Sequence, residues 1–295
     1  MELLMSAEEY AKFLRASGHR VIKTENAWWY DAMPHFYRGF PFHRPLHPTP
    51  TEIAEVLSAG ALAVRYACPL ETGCPTYITA CTDKNYGMKS LPKPRNVTRR
   101  GLEACTVRQL TFDDLRTPEV MEMNRDTLIR QGAYVSADLE EFWDRFYSAA
   151  KECATMEAWG AFVGDEIAAY LIACRIEDCM EAIILKSSTK HLGARPNNAL
   201  VYMHTQNALS RPEINVVSHG WEPTMGDPPG VERFKQRLGY KKEPIGQRIE
   251  LNRLAAFFLR GKFLNSVQRL IEFLPDRDSF IKLGRTLNWY AQQPR

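Results

Sequence analysis

Seven cysteines are scattered through 295 residues with no C-x-x-C pair and no regular spacing, which excludes a disulfide framework and argues against a zinc centre. No apolar stretch reaches the roughly 18 residues a membrane span requires. Met1 to Tyr10 is charged and amphipathic and lacks the apolar run of a secretory leader. Free thiols in a reducing cytoplasm are therefore expected. There is also no internal repeat, no low-complexity tract, no G-x-S-x-G elbow and no paired Cys/His signature, so any catalysis here does not announce a covalent nucleophile.

Hydrophobic residues make up 45% and charged residues 25%, the balance of a soluble globular protein that buries a core. The formal net charge of +3 is too small to imply nucleic-acid binding, and DNA is not an expected partner. Charge is local instead. Lys84, Lys89, Lys93, Arg95, Arg99 and Arg100 follow one another without an acid after Asp83, and residues 252–295 carry eight Lys or Arg against three Asp or Glu.

Residues 7–17 read as a short helix. Trp28, Trp29, Tyr30, Phe36, Tyr37, Phe40 and Phe42 then crowd a segment that Pro34, Pro41, Pro45, Pro48 and Pro50 keep from being helical beyond Met33. An aromatic and His-lined loop is expected there. A helix over Thr51 to Ser58 and strands at Ala61 to Cys68 and Pro75 to Thr82 follow, and the basic stretch from Lys84 to Arg100 reads as an exposed connector. From Cys105 the order is edge strand, broken helix from Phe112 to Arg130, and an amphipathic helix after Ser136 with Leu139, Phe142, Trp143 and Phe146 on one face. Met156 to Val163 and Glu166 to Cys174 flank Gly164-Asp165 as a tight hairpin. Met180 to Lys186 supplies a third strand, Asn198 to Leu209 a helix entered through Pro196, Ile214 to Ser218 a strand, Val231 to Leu238 a helix stopped by Gly239, and Gln247 to Leu251 the last strand. Beyond Asn252 the pattern returns to amphipathic helix, read as packing on its own domain in preference to a peripheral membrane contact.

Ala194-Arg-Pro-Asn-Asn-Ala-Leu-Val-Tyr202, Val216-Val-Ser-His-Gly220 and Val231-Glu-Arg-Phe-Lys-Gln-Arg-Leu-Gly-Tyr240 together resemble the C-terminal half of GNAT superfamily N-acyltransferases, in the FemAB-like acetyltransferase branch. Leu91-Pro-Lys-Pro-Arg-Asn-Val-Thr-Arg-Arg-Gly101 resembles the basic connector of that branch. The resemblance implies an α/β fold with a GNAT-type mixed sheet flanked by helices. Its domain reading is an N-terminal accessory lobe over 1–100, an acyltransferase domain over 101–251 and a C-terminal helical extension over 252–295.

The chemistry so implied is transfer of an acyl group from acyl-CoA to an amine by direct attack on the thioester. It needs a proton acceptor, backbone N–H groups facing the oxyanion, and donors for the pyrophosphate at a helix start. On this sequence the strand Met180 to Lys186 would face the oxyanion and the turn Ser187 to Asn198, with Lys190, Gly193, Arg195, Asn197 and Asn198, would meet the pyrophosphate. Arg195 stands where the superfamily has a second small residue, so Lys190 and Arg195 either neutralise phosphate directly or form a solvated loop. His219, or else Glu222, would accept the proton; failing both, Glu181 or a water chain would. Lys235 occupies the position where many members carry a Tyr acid, and would contact phosphate or carboxylate.

Two other readings compete with acyl-CoA chemistry. A non-catalytic binding protein on the same fold fits the altered loop, and a FemAB-type transferase using aminoacyl-tRNA fits the basic stretch at 84–100, which otherwise reads as a solvated linker. His35, His43 and His47 near Asp31 do not have metal-site spacing, since Pro45 prevents His43 and His47 from sharing a helical face. No metal is expected.

Overall fold

The computed structural model describes residues 2–130, 132, 134–223, 229–258, 286 and 289–294. In chain order the elements are α1 (Glu2–Ala16), β1 (Val21–Lys23), β2 (Trp28–Met33), β3 (Phe36–Phe40), α2 (Pro50–Ser58), β4 (Ala63–Cys68), β5 (Cys74–Cys81), α3 (Asn96–Ala104) and β6 (Thr106–Leu110). They continue as α4 (Pro118–Arg130), α5 (Leu139–Lys151), β7 (Met156–Val163), β8 (Glu166–Ile176), β9 (Cys179–Ser187), α6 (Pro196–Ser210), β10 (Val216–Trp221), α7 (Pro229–Arg237), β11 (Lys241–Leu251) and α8 (Arg253–Phe258). The fold is mixed α/β, with an open mixed sheet flanked by helices. Most of the C-terminal stretch read as helical lies outside the described residues. No helix among them is long and apolar enough to cross a membrane.

Packing divides the chain into two units, the first made of Met1–Gly18, Thr79–Gly220 and Pro229–Lys241, the second of His19–Ile78, Trp221–Pro228 and Lys242–Arg295. In unit 1 the strands run in the order β10-β9-β8-β7-β6. β10 and β9 are parallel, and the remaining pairs are antiparallel. Gly164 sits at φ +59° in the β7–β8 turn, a conformation that costs glycine least. One face of this sheet carries Leu171, Met180 and Val217 against Leu200 and Val201 of α6. On the other face α5 buries Leu139, Trp143, Phe146 and Tyr147, and the Tyr147 and Tyr170 hydroxyls meet at 3.2 Å beside Asn124 of α4.

The basic stretch at 84–100 is not a free connector. Tyr86 and Leu91 are buried in the unit 1 core, the Tyr86 hydroxyl donates to the Leu238 carbonyl at 2.8 Å, and α3 opens at Asn96. Its charges stay at the surface while two apolar anchors draw the backbone in, a division a charge run conceals.

Unit 2 orders its strands β1-β2-β3-β4-β11-β5, with β3 and β4 parallel. The aromatic segment expected as a loop is the β2–β3 hairpin, with Trp29, Tyr37 and Phe40 buried. Pro34 falls in its turn and Pro41 just past its end. The prolines therefore bound the strands without interrupting them. α2 begins with a capping box in which Thr49 and Glu52 serve each other's backbone N–H groups.

Candidate functional site

The parallel pair β9 and β10 is where unit 1 opens. Val216, Val217 and Ser218 lie opposite Cys179, Met180 and Glu181, and the pairing ends there, although β9 runs on to Ser187. Past Glu181 one edge of β9 remains bonded to β8 while the other is released. The β8 register also slips at this point, since Ile172 faces Ile184 and Ala173 faces Ala182, leaving Ile183 as a bulge. A bulge beside a parted strand leaves backbone groups without a ladder partner, and an oxyanion requires such donors.

Glu181 closes the base of that opening and is 7% exposed. Gly220, at φ +81°, keeps the space before it, for a Cβ there would lie 3.3 Å from Glu181 Oε1. The Gly220 N–H donates to Ser218 Oγ at 2.9 Å. Strand alternation places Ser218 and Gly220 on the face of Glu181 and turns Val217 and His219 to the opposite one. There the His219 ring meets Tyr240 edge-on at 4.7 Å. Burial first, then the nearby Lys235 and His204, push the His219 imidazole down to about 3. It is neutral across the ordinary pH range and a weak base.

The turn before α6 is tied down from two sides. Lys190 Nζ and His191 Nε2 both reach Glu166 Oε2 of the β7–β8 hairpin, at 2.5 and 2.8 Å. The Thr189 N–H donates to Asp126 of α4 at 2.9 Å, the Thr189 side chain first and this N–H second hold that carboxyl below its usual range, and Arg130 donates to Thr189 Oγ1 at 2.7 Å. Arg195 stands at φ 59° before the helix, exposed and without an ion pair among the described residues, and its carbonyl accepts from the Asn198 N–H at 3.0 Å. Asn197 donates through Nδ2 to Ser187 Oγ at 3.1 Å, and its buried Oδ1 has no partner among the described residues. Gly193 faces open space. Pro196 has no N–H, and α3 crosses so near that a Cβ on Gly101 would come within 2.8 Å of the Arg195 carbonyl.

Beside this turn lies a groove of about 1130 Å³ lined by Asp113, Asp114, Glu119, Glu122, Asp126, Asp165 and Glu166 against Arg108, Lys190 and His191. Its excess of carboxylates favours a cationic over an anionic occupant.

Glu222 belongs to unit 2, where Thr76 Oγ1 donates to its carboxylate at 2.8 Å and its backbone N–H donates to the Tyr77 carbonyl at 2.8 Å. Unit 1 thus holds the opening, Glu181 and the loop residues, with His219 on the reverse face, where Lys235 lies near enough to lower its pKa. The β9 bulge and the clasp from Glu166 have no counterpart in the sequence reading, because neither leaves a local pattern. Glu181 was read from sequence only as a fallback acceptor, after His219 and Glu222, on its place as the acid of this strand.

No family model and no curated protein sequence matches the chain. Solved structures do. FemX superposes with a TM-score of 0.58 at 10% identity, over 87% of this chain and 94% of that one. The C-terminal domain of a putative lysylphosphatidylglycerol synthetase from Agrobacterium fabrum gives 0.55 at 12% identity, over 88% and 95%. L-PGS from Bacillus licheniformis gives 0.54 at 12% identity, over 84% and 91%. At such identities the likeness concerns the fold alone: the chain has a fold like that of FemX, of that synthetase domain and of L-PGS.

Proposed function

We propose that the chain is an acyltransferase that joins an acyl group to an amine by direct attack, with the reacting carbonyl held in the opening between β9 and β10. The observation that carries this reading is the parting of the two strands at Ser218 and Glu181 beside the Ile183 bulge, with a buried carboxylate at the base. The amine nitrogen forms the new C–N bond, the C–S or C–O bond to the donor breaks, the released edge of β9 supports the oxyanion, and Glu181 takes the proton lost by the amine. The donor carries its pair of electrons away as thiolate or alkoxide.

An acyl-CoA thioester is the first donor to test, with Lys190, Gly193, Arg195, Asn197 and Asn198 as its phosphate loop and Lys235 as a further anion contact. An aminoacyl-tRNA ester is the second. One feature favours the second: the loop commits Lys190 to Glu166 and begins its helix with Pro196, so few free donors remain for a pyrophosphate. A thermal-shift series on the full chain with acetyl-CoA, a long-chain acyl-CoA and charged tRNA separates them, because a ligand at one hundred times its Kd stabilises the fold by about 2.7 kcal/mol. The Lys190→Ala, Arg195→Ala double variant should lose an acyl-CoA response. No shift with any donor, and no acyl transfer to polyamine or amino-acid acceptors, would leave a binding protein on this fold.

A further inference from the structure

Lys186 is a cation that the acyl-transfer site described above does not use. It lies on the released part of β9 directly across from Tyr170 of β8, as Glu181 lies across from Cys174. Tyr170 and Cys174 stand four residues apart on one strand and so share a face, and the bulge falls on β9 between their partners. Lys186 and Glu181 are therefore on the same side of the sheet, along the strand that borders the opening.

On that side the Lys186 ammonium lies 6.0 Å from the centroid of the Trp143 ring of α5, the outer limit of a cation–π contact. Trp143 stacks on Tyr147 at 5.4 Å, and the Tyr147 hydroxyl meets that of Tyr170. Two donors thus come near one another without an acceptor. Lys186 makes no hydrogen bond or ion pair among the described residues, and the indole N–H of Trp143, a residue 4% exposed, has no partner among them either. A buried donor left unpaired is rare in a folded protein. Arg130, the neighbouring cation, is already matched: it donates to Thr189 Oγ1 and the Ser187 carbonyl at 2.7 and 3.1 Å and pairs with Asp126 at 3.5 Å. Burial first, and then Arg130, lower the Lys186 pKa, the response of an ammonium that has lost water and gained no counter-ion.

We propose, building on the acyl-transfer reading, that Lys186 and the Trp143 indole N–H together bind a carboxylate carried by the amine acceptor. Ammonium and indole are donors only, and a carboxylate is an acceptor only, with two oxygens and one charge to set against one ammonium. Five residues of strand span about 16 Å at full extension. The acceptor therefore carries its carboxylate several bonds from the amine that meets Glu181. A polyamine would instead bring like charge to Lys186 and is disfavoured.

Binding is read by NMR on the full chain from the assigned indole N–H of Trp143. Acetate, exchanged for chloride at constant ionic strength, should move that resonance to saturation. Lys186→Met should weaken acetate about tenfold or more, the usual worth of a charged hydrogen bond, and Lys186→Gln carries this arm if Lys186→Met does not fold. In transfer, with the donor that the thermal-shift series selects, the wild type should favour 6-aminohexanoate over 6-aminohexanamide through a lower KM. Lys186→Met should abolish that preference and keep kcat. Saturable acetate binding without transfer to any acceptor would support the carboxylate site and count against acyl transfer. No movement of the Trp143 resonance with acetate, a tighter response to inorganic phosphate than to acetate, an unchanged acetate affinity in both variants, or equal KM values for the two acceptors would overturn the proposal.

Discussion

Replacing Glu157 by Gln should cost about 3 kcal/mol at neutral pH and progressively less as the pH falls. Glu157 points from β7 into the unit 1 core at 8% exposure, where burial alone would raise its pKa. His204 and Arg211 outweigh burial and bring it from 4.5 down to about 2. Arg211 reaches one carboxylate oxygen at 2.8 Å, the Trp159 indole N–H donates to the other at 3.0 Å, and His204 Nε2 lies 3.2 Å away, near enough for charge but not aligned as a hydrogen bond. A fall from 4.5 to about 2 corresponds to about 3 kcal/mol, in the range expected for breaking a buried pair from one side. The folded pKa is depressed, so this stability is present above about pH 4.5 and is lost as pH falls toward 2; at pH 3 about 2 kcal/mol of it should be gone. Urea unfolding of the wild type and Glu157→Gln at pH 7 and pH 3 measures both quantities. A gap below about 1 kcal/mol at pH 7, or one that does not narrow at pH 3, would refute the assignment of Glu157 as the charged centre of this network.

Three further outcomes are expected. Glu181→Gln should leave the melting curve in place and lower acyl transfer by about 10²- to 10⁴-fold, the usual cost of losing a general base, and an unchanged rate would move the base off β9. His219 should remain neutral by NMR from pH 8 to pH 5. Because its pKa falls from 6.5 unfolded to about 3 folded, the unfolded chain binds the extra proton and stability should decline below pH 6.5 by up to about 1.4 kcal/mol per unit, a slope that His219→Ala should remove; a ring titrating near 6.5 would contradict this. Gly101→Ala should destabilise by about 1–2 kcal/mol despite the better helix former, since the added carbon meets the Arg195 carbonyl at 2.8 Å and the Ala199 nitrogen at 3.2 Å, and a stabilised variant in chemical denaturation would show that α3 does not press on the start of α6.

Much of unit 1 was legible because its signals are local. The Gly164-Asp165 turn, the apolar runs on either side and the stripe on α5 fix their elements through a period of two or 3.6 within ten residues. β2 and β3 were missed for the opposite reason: prolines at the turn and just past the end look like breakers until the pairing of Trp28 with Phe40 shows that they lie outside the strands. The basic stretch at 84–100 misled in the same way, through six charges that hide Tyr86 and Leu91.

Functional residues were harder to read than elements because their roles are set by pairing across the sheet. Glu181 is an ordinary strand residue until β10 leaves β9 beside it. His219 shows the converse, for a histidine next to a glycine near a strand end invites assignment as the base, yet one step of alternation turns it to the face of Tyr240 and away from Glu181. Which carboxylate or imidazole meets an acceptor is therefore decided by register at the end of β10, and the sharpest comparison between the two candidates is Glu181→Gln against His219→Ala in one acyl-transfer assay, where loss of rate in the first with rate retained in the second is the expected pattern.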